Sequence, residues 1–207
     1  MTQHNHPVLG AFDAAFLINA DAEHARLKTA SEELARIGIP FERFPAITLC
    51  GQASPLPVGA MGATLSHCAI VKLAKERNLK NVLIFEDDVI FRADFAHWWG
   101  HLASTVQVLS YDLFYFYDWQ AKQTDHVPQC VKIAGTLCAH AYAVARPYYD
   151  TFLKAVLENL STKAIDRTLL LTRAEKWAIV PNLIGQNAGK STICNENRKR
   201  RWSSRDG

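Results

Sequence analysis

Val82-Leu83-Ile84-Phe85-Glu86-Asp87-Asp88-Val89 sets four consecutive large apolar residues against three consecutive carboxylates. A strand without a polar face suits a parallel sheet covered on both sides. The carboxylates then stand at its C-terminal end, where ligands bind in open α/β sheets. Side chains two apart on an extended chain point the same way, so Glu86 and Asp88 are expected to face one cleft and Asp87 the opposite side. Three adjacent anions repel one another and are costly to bury unpaired, so a positive group is expected beside them. An oxygen-preferring cation, Mn²⁺ or Mg²⁺, meets that demand with one or two carboxylates, phosphate oxygens and water. A solvated acidic turn, or one paired with Lys or Arg, meets it equally well, and spacing alone leaves both readings open.

Upstream, the apolar run Phe12 to Ile18 ends in Asn19-Ala20-Asp21, and Leu27, Ala30, Leu34 and Ile37 then recur at helical spacing up to Gly38. Phe41 to Phe44 alternates like a second strand. Cys50 to Gly62, with three glycines and two prolines, reads as a loop. A helix is expected over 63–77, with Asn78 as its terminator. Downstream, Asp94 is placed to cap a short helix through His101, and Asp112 to Tyr117 reads as an aromatic strand. Extended segments are expected near 131–134 and 140–145, a helix over 147–160, another over 165–171, and an extended piece over 177–180. Strands alternating with helices, then a mixed second half, predict an α/β fold with a right-handed, mostly parallel central sheet flanked by helices.

The chain has 207 residues, 49% of them hydrophobic, which suits one substantial core. A single domain over 8–194 is expected, with flexible termini at 1–7 and 195–207. Five scattered cysteines without a Cys-x-x-Cys pair read as reduced thiols, and Met1 to Pro7 lacks the marks of a secretory signal, so a cytoplasmic protein is expected. Much of the formal charge of +3 comes from Arg198, Lys199, Arg200, Arg201 and Arg205. The rest of the chain is close to neutral, which argues against a nucleic-acid surface. The tail itself reads as a solvated end or as a peripheral contact with anionic lipid.

Gly59-Ala60-Met61-Gly62-Ala63-Thr64-Leu65-Ser66-His67, a helix, and then Leu83 to Val89 resembles glycosyltransferase family 25, the group of lipopolysaccharide and collagen galactosyltransferases. Leu17-Ile18-Asn19 with Arg26, Phe41 to Ile47, Gly135, Ala141 to Val144, Ile165-Asp166, and Val180-Pro181 with Gln186 extend the resemblance in order. The chain has Ala60 and Ala63 where the family often has Glu and Cys. The resemblance implies a type A glycosyltransferase fold with a Rossmann-like nucleotide half. It also implies inverting transfer of galactose or a related hexose from a nucleotide diphosphate sugar, a UDP-hexose first of all. The acceptor would be a saccharide or glycoconjugate, lipopolysaccharide among them. Glu86 and Asp88 would hold Mn²⁺ or Mg²⁺, while Asn19, Arg26, Ser66, His67 and Asp87 would serve the donor, His67 by bonding it or by orienting an acidic side chain. Asp166 is the first candidate for the base and Asp118, just after the aromatic strand, the second. A non-catalytic nucleotide-sugar or glycan-binding relative, and a metal-dependent phosphoryl-transfer or hydrolase domain, are the competing readings.

Two other signals carry less. Gly185 to Thr192 resembles a phosphate loop, but the spacing would require Gly at the position of Ile184. His97 and His101 share a helix face without an evident third zinc ligand, and Trp98-Trp99 between them reads as packing.

Overall fold

The structure, a computed structural model, describes residues 9–51, 55–121, 126–187, 189–190 and 197–198. Strand β1 (Ala15–Asn19) leads through α1 (His24–Ile37) to β2 (Glu42–Pro45), and α2 (Val58–Glu76) then leads to β3 (Asn81–Glu86). A short β4 (Val89–Phe91), α3 (Phe95–Val108), β5 (Leu113–Tyr115), β6 (Gln129–Ile133) and β7 (Ala141–Ala145) follow. A 3-10 turn at Arg146–Tyr148, α4 (Tyr149–Glu158), α5 (Ile165–Leu171), β8 (Lys176–Val180) and β9 (Ile184–Gln186) complete the main body. Beyond it, β10 (Gly189–Lys190) pairs antiparallel with β11 (Asn197–Arg198).

Among the described residues, seven strands form one sheet in the order β2-β1-β3-β7-β5-β8-β6. β1, β2, β3, β5 and β8 run one way, while β7 and β6 run against them. The expected α/β fold, mostly parallel with a mixed second half, is what the chain adopts. β3 lies between β1 and β7, and Val82 to Phe85 are wholly buried. Pleat alternation sends Leu83 and Phe85 to the face covered by Ala30 and Leu34 of α1 and Phe95 and Trp99 of α3. Val82 and Ile84 go to the other face, under Ile70 and Val71 of α2, Phe152 of α4 and Leu169 of α5. Because α1 and α2 cover opposite faces, the winding reverses between β1 and β3. A crevice opens outside their C-terminal ends at such a reversal.

Helix α1 ends as expected: Gly38 takes a left-handed φ of 75°, and the Gly38 and Ile39 amides donate to Ala35 and Leu34 carbonyls. Asn78, at φ 58°, closes α2 in the same manner. The start of α2 differs from expectation. The helix begins at Val58, directly after Pro57, and takes in Gly59 and Gly62. Gly62 serves close approach rather than a loop, since a Cβ there would stand 2.3 Å from the Ile47 carbonyl oxygen. α3 is also longer than expected, and the Asp94 carboxylate receives Arg92 and the Trp98 indole instead of capping the helix.

Of the phosphate-loop lookalike, Gly185 and Gln186 lie extended in β9. Ala188, Ser191 and Thr192 lie outside the described residues, as do 1–7 and, apart from β11, the expected C-terminal end and its membrane contact. Among the described residues no helix is long and apolar enough to cross a membrane.

Lys176 opens β8 almost wholly buried, and its Nζ donates to the carbonyls of Ala134, Leu170 and Thr172. It thereby ties the end of α5 to the sheet. Lys176→Met strands three carbonyls, and the denaturant midpoint is expected to fall by the equivalent of about 2 kcal/mol. An unchanged midpoint would show that water satisfies them.

Candidate active site

At the switch point lies a cleft of about 190 Å³. Its floor is the end of β1 (Ile18, Asn19, Ala20) and the end of β3 (Glu86, Asp87), with Arg26 reaching in from α1. Gly59, Ala63 and His67, successive residues four apart on α2, line one side. The segment after β2, Ala46 to Leu49, forms the other. One end is therefore apolar and the other ionic.

That apolar side is clamped to α2. The Ile47 amide donates to Ser66 Oγ at 2.8 Å, and Ser66 Oγ donates to the Gly62 carbonyl at 2.9 Å. Ser66 is wholly buried and absent from the lining, so this expected donor contact supports the wall from behind.

The acidic turn departs from strand alternation. β3 ends at Glu86, and Asp87 and Asp88 form a turn before β4. Once the pleat stops, side chains two apart no longer share a face, and Glu86 and Asp87 line the cleft together. The expectation that Asp87 faces away from Glu86 is thus corrected. Asp88 is drawn toward β9: Gln186 Nε2 donates to its Oδ2 at 3.2 Å, and the Asn187 amide donates to its carbonyl at 2.6 Å.

Asp87 is bonded to the Arg26 guanidinium and receives Asn19 Nδ2 at 2.7 Å. Arg26 also stands 3.7 Å from Asp88 Oδ2. Burial pushes the Asp87 carboxyl above its usual pKa, while Arg26 and the Asn19 hydrogen bond oppose that rise. Asn19 is in turn fixed through its Oδ1, which accepts both Nε and Nη2 of Arg43. Glu86 Oε1 lies 3.2 Å from His67 Nε2, and His67 Nδ1 lies 3.1 Å from the Tyr142 hydroxyl.

Of the residues singled out from sequence, Asn19, Arg26, His67, Glu86 and Asp87 line the cleft. Asp88 adjoins Arg26 but is absent from the lining, which departs from the expectation that Glu86 and Asp88 face one cleft. Sequence reading does not single out Arg43, which reaches Asn19 on the neighbouring strand, or Tyr142, which reaches His67 on α2, since neither contact leaves a local signal. Gln186 stands in the motif order, but its partner Asp88 is 98 residues away. Neither Asp118 nor Asp166 lines the cleft. Asp118 is buried beyond β5, its amide bonded by Asn182 and its carboxylate accepting the Gln120 amide. Asp166 lies in the first turn of α5, where it accepts the Arg167 amide and is within electrostatic reach of Tyr115 on β5. His97 and His101 are exposed on α3 with their rings 5.0 Å apart, away from this cleft.

The family profile described as Glycosyltransferase family 25 (LPS biosynthesis protein) matches residues 50–165, which is more than half of the chain. The chain belongs to glycosyltransferase family 25. A Haemophilus influenzae relative, itself named only provisionally as a glycosyltransferase, is 36% identical over 89 residues, 36% of this chain and 32% of its own length. A Drosophila melanogaster glycosyltransferase 25 family member is 26% identical over 187 residues, 77% of this chain and 29% of that protein. The chain spans about a third or less of the curated relatives it matches. Among solved structures, A197 from STIV aligns over 83% of this chain and 82% of its own, at 9% identity and a TM-score of 0.46. A glycosyltransferase involved in glycosylation of the major capsid of PBCV-1 aligns over 70% and 66%, at 10% identity and a TM-score of 0.42. Both likenesses are too distant to bear on function. For a family 25 chain, the mostly parallel sheet with its cleft at the β1/β3 reversal is the type A arrangement that the motifs imply.

Gly62→Ala drives a methyl group into the Ile47 carbonyl, which belongs to the cleft wall. The expected loss is about 1–3 kcal/mol, read from chemical denaturation. Gly100→Ala on α3, where an added Cβ meets nothing within 4 Å, is expected to be neutral or to stabilise by up to about 1 kcal/mol.

Proposed function

We propose that this chain binds a nucleotide diphosphate sugar in the β1/β3 cleft and transfers its hexose, with inversion, to a saccharide or glycoconjugate. The observation that carries the reading is the polarity of the cleft. A slot walled by Ile18, Ala46, Ile47, Leu49 and Ala63 suits a flat base and ribose, and it ends at Arg26, Glu86 and Asp87, where a diphosphate would lie. A UDP-hexose, galactose first, follows from the family. Lipopolysaccharide is one acceptor class that the family description offers.

The donor chemistry suits a hard divalent cation: Glu86 at the end of β3 and Asp87 and Asp88 in the turn after it offer oxygen ligands. Among the described residues no group of three or more His, Cys, Asp or Glu side chains is placed to hold a metal ion, so a cation here would depend on phosphate oxygens and water for most of its shell. Glu86 and Asp88 would hold Mn²⁺ or Mg²⁺, which when bound neutralises charge developing on the diphosphate as a Lewis acid.

The remaining work falls to the chain's own groups. Asn19 and Arg26 fix Asp87 at the polar end of the cleft. Arg26, adjoining both Asp87 and Asp88, is placed to turn toward a phosphate. Inversion needs a base, a carboxylate or a histidine, to take the acceptor proton. Asp166 and Asp118 are the two candidates, and both stand near the end of β5, across β7 from β3.

Titration of nucleotide sugars with Mn²⁺, read as melting temperature and as donor hydrolysis, tests this reading. A UDP-hexose is expected to stabilise the chain and to be hydrolysed slowly. Asp88→Ala is expected to lower that hydrolysis about a hundredfold or more. Stabilisation without turnover would identify a binding module, and phosphate release from nucleotides without sugar preference would identify a hydrolase.

A further inference from the structure

Behind the acidic turn, the Glu86 to His67 to Tyr142 chain runs from the cleft into the core. Tyr142 lies on β7, wholly buried, with its ring stacked on Tyr115 at 5.6 Å and 20°. The β3–β7 ladder holds it beside Ile84, and the Glu86 amide donates to the His140 carbonyl at 2.9 Å, so the backbones of both ends are locked. His67 between them is also wholly buried. Its ring can satisfy both neighbours in few ways. An ionised Glu86 accepts only, so Nε2 must carry a proton to bond it. A neutral ring then offers Nδ1 as an acceptor, which a phenol O–H satisfies. The opposite tautomer would place two acceptors, Nε2 and Glu86 Oε1, against each other. Burial holds the Tyr142 hydroxyl well above its ordinary pKa, which keeps its proton available.

We propose that Tyr142 is a positioning residue: by donating to His67 Nδ1 it selects the Nε2–H tautomer, which in turn aims the Glu86 carboxylate into the cleft. Partners that orient a carboxylate from behind commonly control how well it receives a cation. The consequence for ligand binding rests on the cleft taking a nucleotide diphosphate with its metal. The tautomer itself does not.

The experiment therefore has two arms on the full chain. In the first, ring ¹⁵N–¹H correlation spectra are recorded without ligand, with His67 assigned by its loss in His67→Gln. The wild type is expected to show the proton on Nε2 alone, and Tyr142→Phe a mixture of tautomers. Tyr115→Phe removes a buried hydroxyl that has no hydrogen-bond partner among the described residues, and it is expected to keep the wild-type pattern. A single Nε2–H tautomer in Tyr142→Phe, or the same mixture in Tyr115→Phe, overturns the proposal. In the second, UDP with Mn²⁺ is titrated by calorimetry, and Tyr142→Phe is expected to bind about tenfold more weakly than wild type. His67→Gln, which retains an N–H for Glu86, is expected to bind more tightly than His67→Ala. Unchanged affinity in Tyr142→Phe, or equal loss in the two His67 variants, overturns it. If the wild type binds no UDP, the proposed function falls, and the spectra still decide the role of Tyr142.

Discussion

Burial of β3 on both faces is the constraint from which the rest follows. Val82 to Phe85 have no solvent side, so polar groups enter the strand only where its cover ends, at Asn81 and at Glu86. Three carboxylates in succession cannot continue into the core, because each would lose its hydration without repayment in hydrogen bonds. The chain turns there instead. The same sheet order that covers β3 also reverses the winding between β1 and β3, so the turn opens into a crevice rather than onto a flat edge.

The groups around the turn divide into two sets that meet at the carboxylates. On the β1 side, Arg43 holds Asn19, Asn19 holds Asp87, and Arg26 adjoins Asp87 and Asp88. On the β7 side, Tyr142 and His67 reach Glu86. Asp87 and Asp88 thus share Arg26 of α1, while Glu86 is held from α2 and β7. Burial raises the pKa of Asp87 and so disfavours its ionised form, and the Arg26 guanidinium beside it opposes that rise.

Much of the fold was legible because it follows from periods in the chain. The unbroken apolar run of β3 demanded cover on both faces, and the helical spacing of Leu27, Ala30 and Leu34 marked α1 up to its glycine. What escaped was set by contacts distant in sequence. Gly59 and Gly62 carry the composition of a loop, yet both lie inside α2, and at Gly62 the Ile47 carbonyl leaves no room for a side chain. The alternation rule placed Asp87 opposite Glu86 and failed one residue past the strand, since the rule lasts only as long as the pleat. Ser66 belongs to the motif, but no sequence pattern distinguishes a hydroxyl that touches a ligand from one that braces the wall beside it. Arg43, Tyr142 and Gln186 act through contacts between distant elements that only the folded topology supplies.

The small ribbon of β4 and β9 has a consequence for assembly. Val89 to Phe91 pair with Ile184 to Gln186, and the side chain of Gln186 and the amide of Asn187 grip Asp88. During synthesis, the acidic turn leaves the ribosome 98 residues before the glutamine that restrains it. The parallel β2-β1-β3 unit can form first, with its apolar wall already clamped to α2. The grip on Asp88 from β9 is therefore added only after Asn19, Arg26 and His67, all earlier in the chain, are available to Asp87 and Glu86.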